Sequence, residues 1–436
     1  MKKTRATIRT YRHGLGDCHL ITLRGKGKAA YRILIDCGVI LGTPDAKAVM
    51  TRVMDDVVKE SKGKVDLLVA THEHWDHVSG FGQAAESFAR LQVDKVWMAW
   101  TEDPDDEGAR ELAQSKGQAL KLLQGAALHL QGFGDVQQTP LFLSLAEFFG
   151  AAGRVTTKSA LEAVRAKALP GEPRYCRPED PPVELAKYGA RIYVLGPPRD
   201  VALLKRLNPK ANTDEGYDHA LGLFNADIKP LSEQGEADNQ APFAAMDGLA
   251  IADARKHGFF AQTYFDGPEW RRIDADWMLA ADSLALALDN MTNNTSLVLA
   301  IELGGEDVLL FAADAQVGNW MSWPACHWEV GGKTVTGEDL MRRTTFYKVG
   351  HHGSHNATLK ERGLELMDSL QTAVIPVDQE MAKTKKWGAM PLAPLVSALQ
   401  KKTASKGFVV RTDRDLPPGA NEAGIVSTPE YVEISV

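Results

Sequence analysis

The sequence has no run of about 18 consecutive apolar residues, the length a membrane-spanning helix needs, so no transmembrane segment is expected. Its first stretch, MKKTRATIRTYRHG, begins with basic residues, but no apolar segment follows. That argues against a secretory signal. Cysteine is scarce, with four in 436 residues (Cys18, Cys37, Cys176 and Cys326), widely spaced and without a CxxC pair. Such spacing does not describe a disulfide framework, and it reads as reduced thiols in a cytoplasmic protein. Positive charge is not in excess either. The formal net charge is −7, which excludes a chain built to coat nucleic acid nonspecifically, although a local basic cleft is compatible with an acidic total. There is no internal repeat and no low-complexity tract.

What is present is ordinary globular composition, 44% hydrophobic and 25% charged. The length suits one large domain with insertions, or two domains. Residues 5–11 (RATIRTY) and 18–23 (CHLITL) read as strands joined by the turn HGLGD, and YRILID at 31–36 as a third. Over 46–61, Val49, Met50, Val53, Met54, Val57 and Val58 recur at helical spacing. VDLLVATH at 65–72 is a short apolar run expected to be a strand buried on both faces. Residues 83–91 read as a helix and KVWMAW as the next strand. Polar, helix-favouring sequence then runs over 101–180. After a strand at 190–196, residues 206–290 are again irregular or helical. Strands resume at 296–303 and 307–314, with further strand ends at 347–352 and 373–378, and later strands in GFVVRT and YVEISV. The expectation is an α/β fold: one domain over 1–436, two sheets with helices on their outer faces, and largely helical insertions at about 101–180 and 200–290.

Chemistry concentrates in THEHWDH, residues 71–77, directly after an apolar strand. His72 and His74, two apart on extended backbone, point the same way. Asp76 and His77 then turn toward a second point nearby, a layout that suits two adjacent metal ions. Imidazole suits zinc, iron and similar ions, and a carboxylate adds a hard oxygen ligand.

THEHWDH matches the HxHxDH signature of the metallo-β-lactamase superfamily. GLGDC with YRILIDCG resembles the N-terminal strands of the branch related to the DNA-uptake competence hydrolase domain and the bacterial choline-phosphate esterases. LLFAAD resembles the family strand that ends in the metal-bridging aspartate, here Asp314. KVGHHGS resembles the late loop carrying the last metal-binding histidine. These matches are scattered through the core, and no motif covers the two insertions. The resemblance implies an αββα four-layer sandwich and two divalent metal ions, zinc first, with manganese or iron as alternatives. The implied ligands are His72, His74, Asp76, His77, Asp314 and His352. His351 is left as an alternative ligand, a substrate contact or the general acid that protonates the leaving group. Asp36, ending its strand, is expected to orient a metal ligand. Asp17 is a turn residue, or alternatively lines the site. One departure stands out: Asn294 occupies the place where many family members carry a histidine. The first metal, on His72 and His74, would then lack a protein ligand or be loosely held.

The implied activity is hydrolysis by a metal-bound hydroxide, with Asp76 both binding metal and orienting the nucleophile. The branch resemblance favours a phosphodiester, in nucleic acid or in a small phosphoester. The alternatives are an acyl hydrolase acting on a lactone, lactam or thioester, and a metal-binding sensor or assembly protein without turnover. No membrane partner is expected, and nothing in the residues names a protein partner.

Overall fold

The central strands of both sheets are largely apolar because each buries both faces. Ile33 and Ile35 face one core while Leu34 faces another; Leu67 and Val69 alternate with Leu68 and Ala70 in the same way. On a second sheet Leu309 and Phe311 share the first of those cores, whereas Val308 and Leu310 face a third. Full burial of such a side chain stabilises the fold by about 1.5–3 kcal/mol, so neither face can be exposed cheaply. A computed structural model describes residues 5–27, 30–132, 156–168, 170–206, 251–266, 276–385, 387, 389–404 and 407–436.

The fold is mixed α/β with two large sheets. The first has eight strands in the order Ile425–Ser427, Tyr431–Ser435, Ala6–Tyr11, His19–Arg24, Ala30–Ile35, Leu67–Ala70, Val96–Ala99, Arg174–Cys176. It is antiparallel up to Ala30–Ile35 and parallel beyond it. The second has seven strands: Phe408–Arg411, Thr372–Ile375, Thr344–Lys348, Asp307–Phe311, Val298–Leu303, Ala190–Gly196, Val183–Leu185. Its first four are parallel to one another and the rest antiparallel. One apolar core takes side chains from both sheets. The far face of the first sheet packs on helices Ala46–Glu60, Trp75–Gln83 and Thr157–Ala166 through Met54, Val57, Phe81 and Leu161. The far face of the second packs on Val317–Ser322, Gly337–Arg342 and Ala393–Thr403 through Trp320, Leu340, Leu395 and Leu399.

Several elements depart from the sequence reading. The helix expected over 83–91 begins at Trp75, inside the histidine motif, and is followed by a second, Ala85–Ala89. Strand Arg174–Cys176 extends the first sheet, so the core resumes inside the stretch read as an insertion over 101–180. Three residues are too short a pattern to read. Within 200–290, helix Asp276–Asn294 runs up to the second sheet. Residues 133–155, 207–250 and 267–275 of these stretches lie outside the described residues. Among the described residues no helix is long and apolar enough to cross a membrane.

Parallel strands align their carboxyl ends on one edge, where ligand sites of open α/β sheets gather. Asp36 follows Ala30–Ile35, Thr71 follows Leu67–Ala70, and His351 and His352 follow Thr344–Lys348. That shared edge is what brings distant stretches of chain to one place.

Candidate metal centre

The motif is held by its backbone before its side chains act. Thr71 donates to Asp36 twice, from its amide to Oδ1 (2.8 Å) and from its hydroxyl to Oδ2 (2.6 Å). His74 is extended (φ −66°, ψ 147°) and starts helix Trp75–Gln83, which carries Asp76 and His77 on its first turn. The loops GLGD and IDCG clamp that turn. The Asp17 amide donates to the Asp76 carbonyl (3.0 Å), and the Cys37 amide to the His77 carbonyl (2.8 Å). A Cβ on Gly38 would lie 2.4 Å from the Asp76 carbonyl carbon, and one on Gly16 2.3 Å from the Gly38 oxygen. Only glycine permits this approach.

Four buried groups then converge. Asp76, His77, Asp314 and His352 each offer one ligand atom, and these atoms lie within 4.8 Å of one another. His77 Nε2 is 3.2 Å from Asp314 Oδ2, and His352 Nε2 is 3.0 Å from Asp76 Oδ2 and 3.7 Å from Asp314 Oδ2. The other ring nitrogens are taken. His77 Nδ1–H donates to Asp36 Oδ2 (2.8 Å), and His352 Nδ1–H to the Pro376 carbonyl (2.8 Å). In the neutral imidazoles these partners assign, each Nε2 lone pair faces a carboxylate oxygen. Acceptor facing acceptor is an arrangement that a proton or a metal cation must bridge. Asp76 Oδ1, also buried, has no hydrogen-bond partner among the described residues.

His72 Nε2 and His74 Nδ1 face each other at 3.1 Å beside this cluster, and the rings of His72 and His77 are 4.2 Å apart. His351 does not join the four. Its Nδ1 meets Ser354 Oγ (2.7 Å) and Gln316 Nε2 (3.2 Å), and its Nε2 lies 3.5 Å from Asn293 Nδ2. His351 and His352 adopt left-handed φ values of 41° and 52°, as do Asp36 (55°) and Ala313 (47°). Non-glycine residues rarely do this, and four of them beside one cluster mark a place where conformation serves position.

Charge follows geometry. Burial alone would lower the pKa of His77, but Asp314, Asp76 and Asp36 carry it well above the usual value. His352 is likewise raised, against burial, by Asp314 and Asp76. Burial would raise the Asp314 carboxyl, yet His77, His352 and Lys348 hold it well below its ordinary range. Burial pushes His74 and His351 down to about 4, and burial with His77 and His74 nearby holds His72 well below its ordinary value.

Two participants carry no signal in the sequence. Lys348, fully buried, donates from Nζ to the Ala313 carbonyl (2.8 Å), lies 3.4 Å from Asp314 Oδ1 and pairs with Asp17. Asp17 is therefore buried in the site as well as closing a turn. Asp289, on helix Asp276–Asn294, places Oδ1 3.6 Å from His74 Nε2. Burial, with Asp76 and Asp314 nearby, pushes its carboxyl up to about 8. A lysine inside an apolar strand and an aspartate on a polar helix are common in sequences, so neither stands out. Asn294, expected beside the first metal, is turned elsewhere. Its Nδ2 donates to the carbonyls of Leu204 (3.2 Å) and Arg206 (2.8 Å), and its Oδ1 accepts from the Asn319 amide (3.1 Å). Trp320 and Trp323 stack at 3.8 Å in the core.

No protein family, curated protein or solved structure was found to match the chain.

Proposed function

We propose that the chain is a metal-dependent hydrolase of the metallo-β-lactamase fold, acting on phosphodiesters. The observation that carries this reading is the meeting of Asp76, His77, Asp314 and His352, from three separate stretches of chain, with their ligand atoms within 4.8 Å. The layering of helices, two sheets sharing a core, and helices again agrees with an αββα sandwich. Two imidazole nitrogens and two carboxylate oxygens suit zinc, with manganese or iron as alternatives. The unbridged acceptors of the cluster fit a cation. A divalent metal held there supplies a Lewis acid and brings the pKa of a nucleophilic water toward neutrality.

The chain's own residues do the rest. Asp36 and the Pro376 carbonyl fix the His77 and His352 rings so that both present Nε2. Asp76 keeps Oδ1 available to orient water. Ser354 Oγ (2.7 Å) and Gln316 Nε2 (3.2 Å) hold the His351 ring at Nδ1, and Asn293 Nδ2 lies 3.5 Å from its Nε2. His351, beside the four ligands, is the residue assigned to protonate a leaving alkoxide. The phosphodiester preference rests on the resemblance of GLGDC and YRILIDCG to the N-terminal strands of the nuclease and phosphoesterase branch.

The test is turnover of bis-p-nitrophenyl phosphate and of single-stranded DNA and RNA by purified protein, with elemental analysis. His352→Ala is expected to lose metal and activity together. His351→Gln is expected to keep its metal but lose about 10²–10⁴-fold in kcat, the range of a general acid. Turnover of lactones or thioesters alone would move the substrate to acyl compounds. Stoichiometric metal with no turnover of any substrate would make the chain a binding protein.

A further inference from the structure

We infer that Asn293 is a specificity-determining residue, whose side-chain oxygen accepts a hydrogen bond from a substrate hydroxyl on the carbon next to the one bearing the leaving oxygen. Resting on the hydrolase reading, this narrows its substrates to phosphodiesters that carry such a hydroxyl, a ribonucleotide or a glycerol ester.

Helix Asp276–Asn294 brings the Asn293 amide against the His351 ring, in full burial. The amide nitrogen donates to Asp289 Oδ2 (3.3 Å) and lies 3.5 Å from His351 Nε2. The amide oxygen is buried and has no hydrogen-bond partner among the described residues. An acceptor left unpaired inside a protein costs about 1–3 kcal/mol. The next residue shows the contrast. Asn294 spends its nitrogen on the Leu204 and Arg206 carbonyls and its oxygen on the Asn319 amide, so it is fully used within the fold. Gln316 repeats the half-used pattern at the other ring nitrogen. Its Nε2 is 3.2 Å from His351 Nδ1, and its buried Oε1 has no partner among the described residues.

An unpaired amide oxygen asks for a donor. The side chains that meet the His351 ring nitrogens are Asn293, Gln316 and Ser354, all uncharged, and a neutral donor suits them. His351 is the residue assigned to protonate the leaving alkoxide, and the Asn293 amide lies at the same ring's Nε2. A donor that meets Asn293 Oδ1 therefore sits close to the leaving oxygen. On a phosphodiester, that neutral donor is a hydroxyl on the adjacent carbon. It is the 2′-hydroxyl beside O3′ in a ribonucleotide and the middle hydroxyl in a glycerol ester. Water adds its hydroxyl to phosphorus, the bond from phosphorus to O3′ breaks, and O3′ takes the proton from His351. The products are a 5′-phosphate and a free 3′-hydroxyl.

The test compares kcat/KM of the metal-loaded protein on matched pairs: uridylyl-uridine against its form lacking the 2′-hydroxyl beside O3′, and glycerophosphocholine against propyl phosphocholine. The wild type is expected to favour the hydroxyl-bearing member of at least one pair by about 10–100-fold, the effect of stranding one buried acceptor. The pair that shows it identifies the source of the hydroxyl. Asn293→Leu, which keeps the volume, and Asn293→Ala are expected to abolish the preference by lowering turnover of the hydroxyl-bearing member alone. If neither variant folds, the wild-type ratio decides. Equal turnover within both pairs, a preference that survives in the variants, or an equal loss on both members of a pair overturns the inference and leaves the hydrolase reading standing. No turnover of any phosphodiester overturns both.

Discussion

Lys348→Met removes the buried ammonium from the floor of the site and leaves a side chain of similar length. The lysine is 1% exposed, with Asp17 and Asp314 against it. At the 3.4 Å between Nζ and Asp314 Oδ1, an effective dielectric of about 20 gives about 5 kcal/mol of attraction. The net worth of the pair is smaller because all partners were desolvated, but removing one partner strands a buried charge. The expected loss is about 3–5 kcal/mol of unfolding free energy in metal-free protein. The double variant Asp17→Asn/Lys348→Met is expected to recover more than half of that loss, because it removes the stranded carboxylate too. Asp17 has its pKa lowered in the folded state, against burial, chiefly by Lys348. Its stabilising contribution is therefore present above the ordinary carboxylate pKa of about 4 and fades as pH falls below it. In Lys348→Met the same carboxyl prefers its proton, so acidification relieves the defect. The gap between wild type and variant should be widest near pH 7 and narrow toward pH 4. Urea denaturation followed by circular dichroism at both pH values measures it. A loss under about 1 kcal/mol at pH 7, or a gap that widens on acidification, would refute the reasoning.

Asp36→Ala removes the acceptor of both His77 Nδ1 and Thr71, so metal affinity should fall about 10–100-fold in a chelator competition. Unchanged affinity would mean that the ring is held by packing alone. Gly38→Ala drives a methyl into the Asp76 carbonyl carbon from 2.4 Å, and displacing that backbone should cost at least about 1–3 kcal/mol and loosen the metal. A variant with native stability and metal content would show that the GLGD–IDCG clamp is more pliant than its contacts imply.

Much of the fold is legible in the sequence because burial on both faces leaves a local trace. YRILID, VDLLVATH and DVLLFAAD read as apolar runs and form strands Ala30–Ile35, Leu67–Ala70 and Asp307–Phe311. The elements that escape such a reading are short or depend on partners. Strand Arg174–Cys176 has three residues and exists by pairing with Val96–Ala99. Helix Trp75–Gln83 begins inside a motif whose polar residues hide its periodicity.

In the site the division is sharper. The sequence by itself determined the chemical types of the donors and their local spacing, since neighbours on one backbone share a position whatever the rest of the chain does. His72, His74, Asp76 and His77 were specified that way, and so was Asp36 at its strand end. The motif already favoured His352 over His351, whereas tertiary structure alone decided that Asn294 turns away and that Lys348 and Asp289 enter the site. Those contacts depend on how two sheets are paired and stacked. The sheets bring together residues far apart in the chain, and no local pattern records which side chains will face one another across that gap.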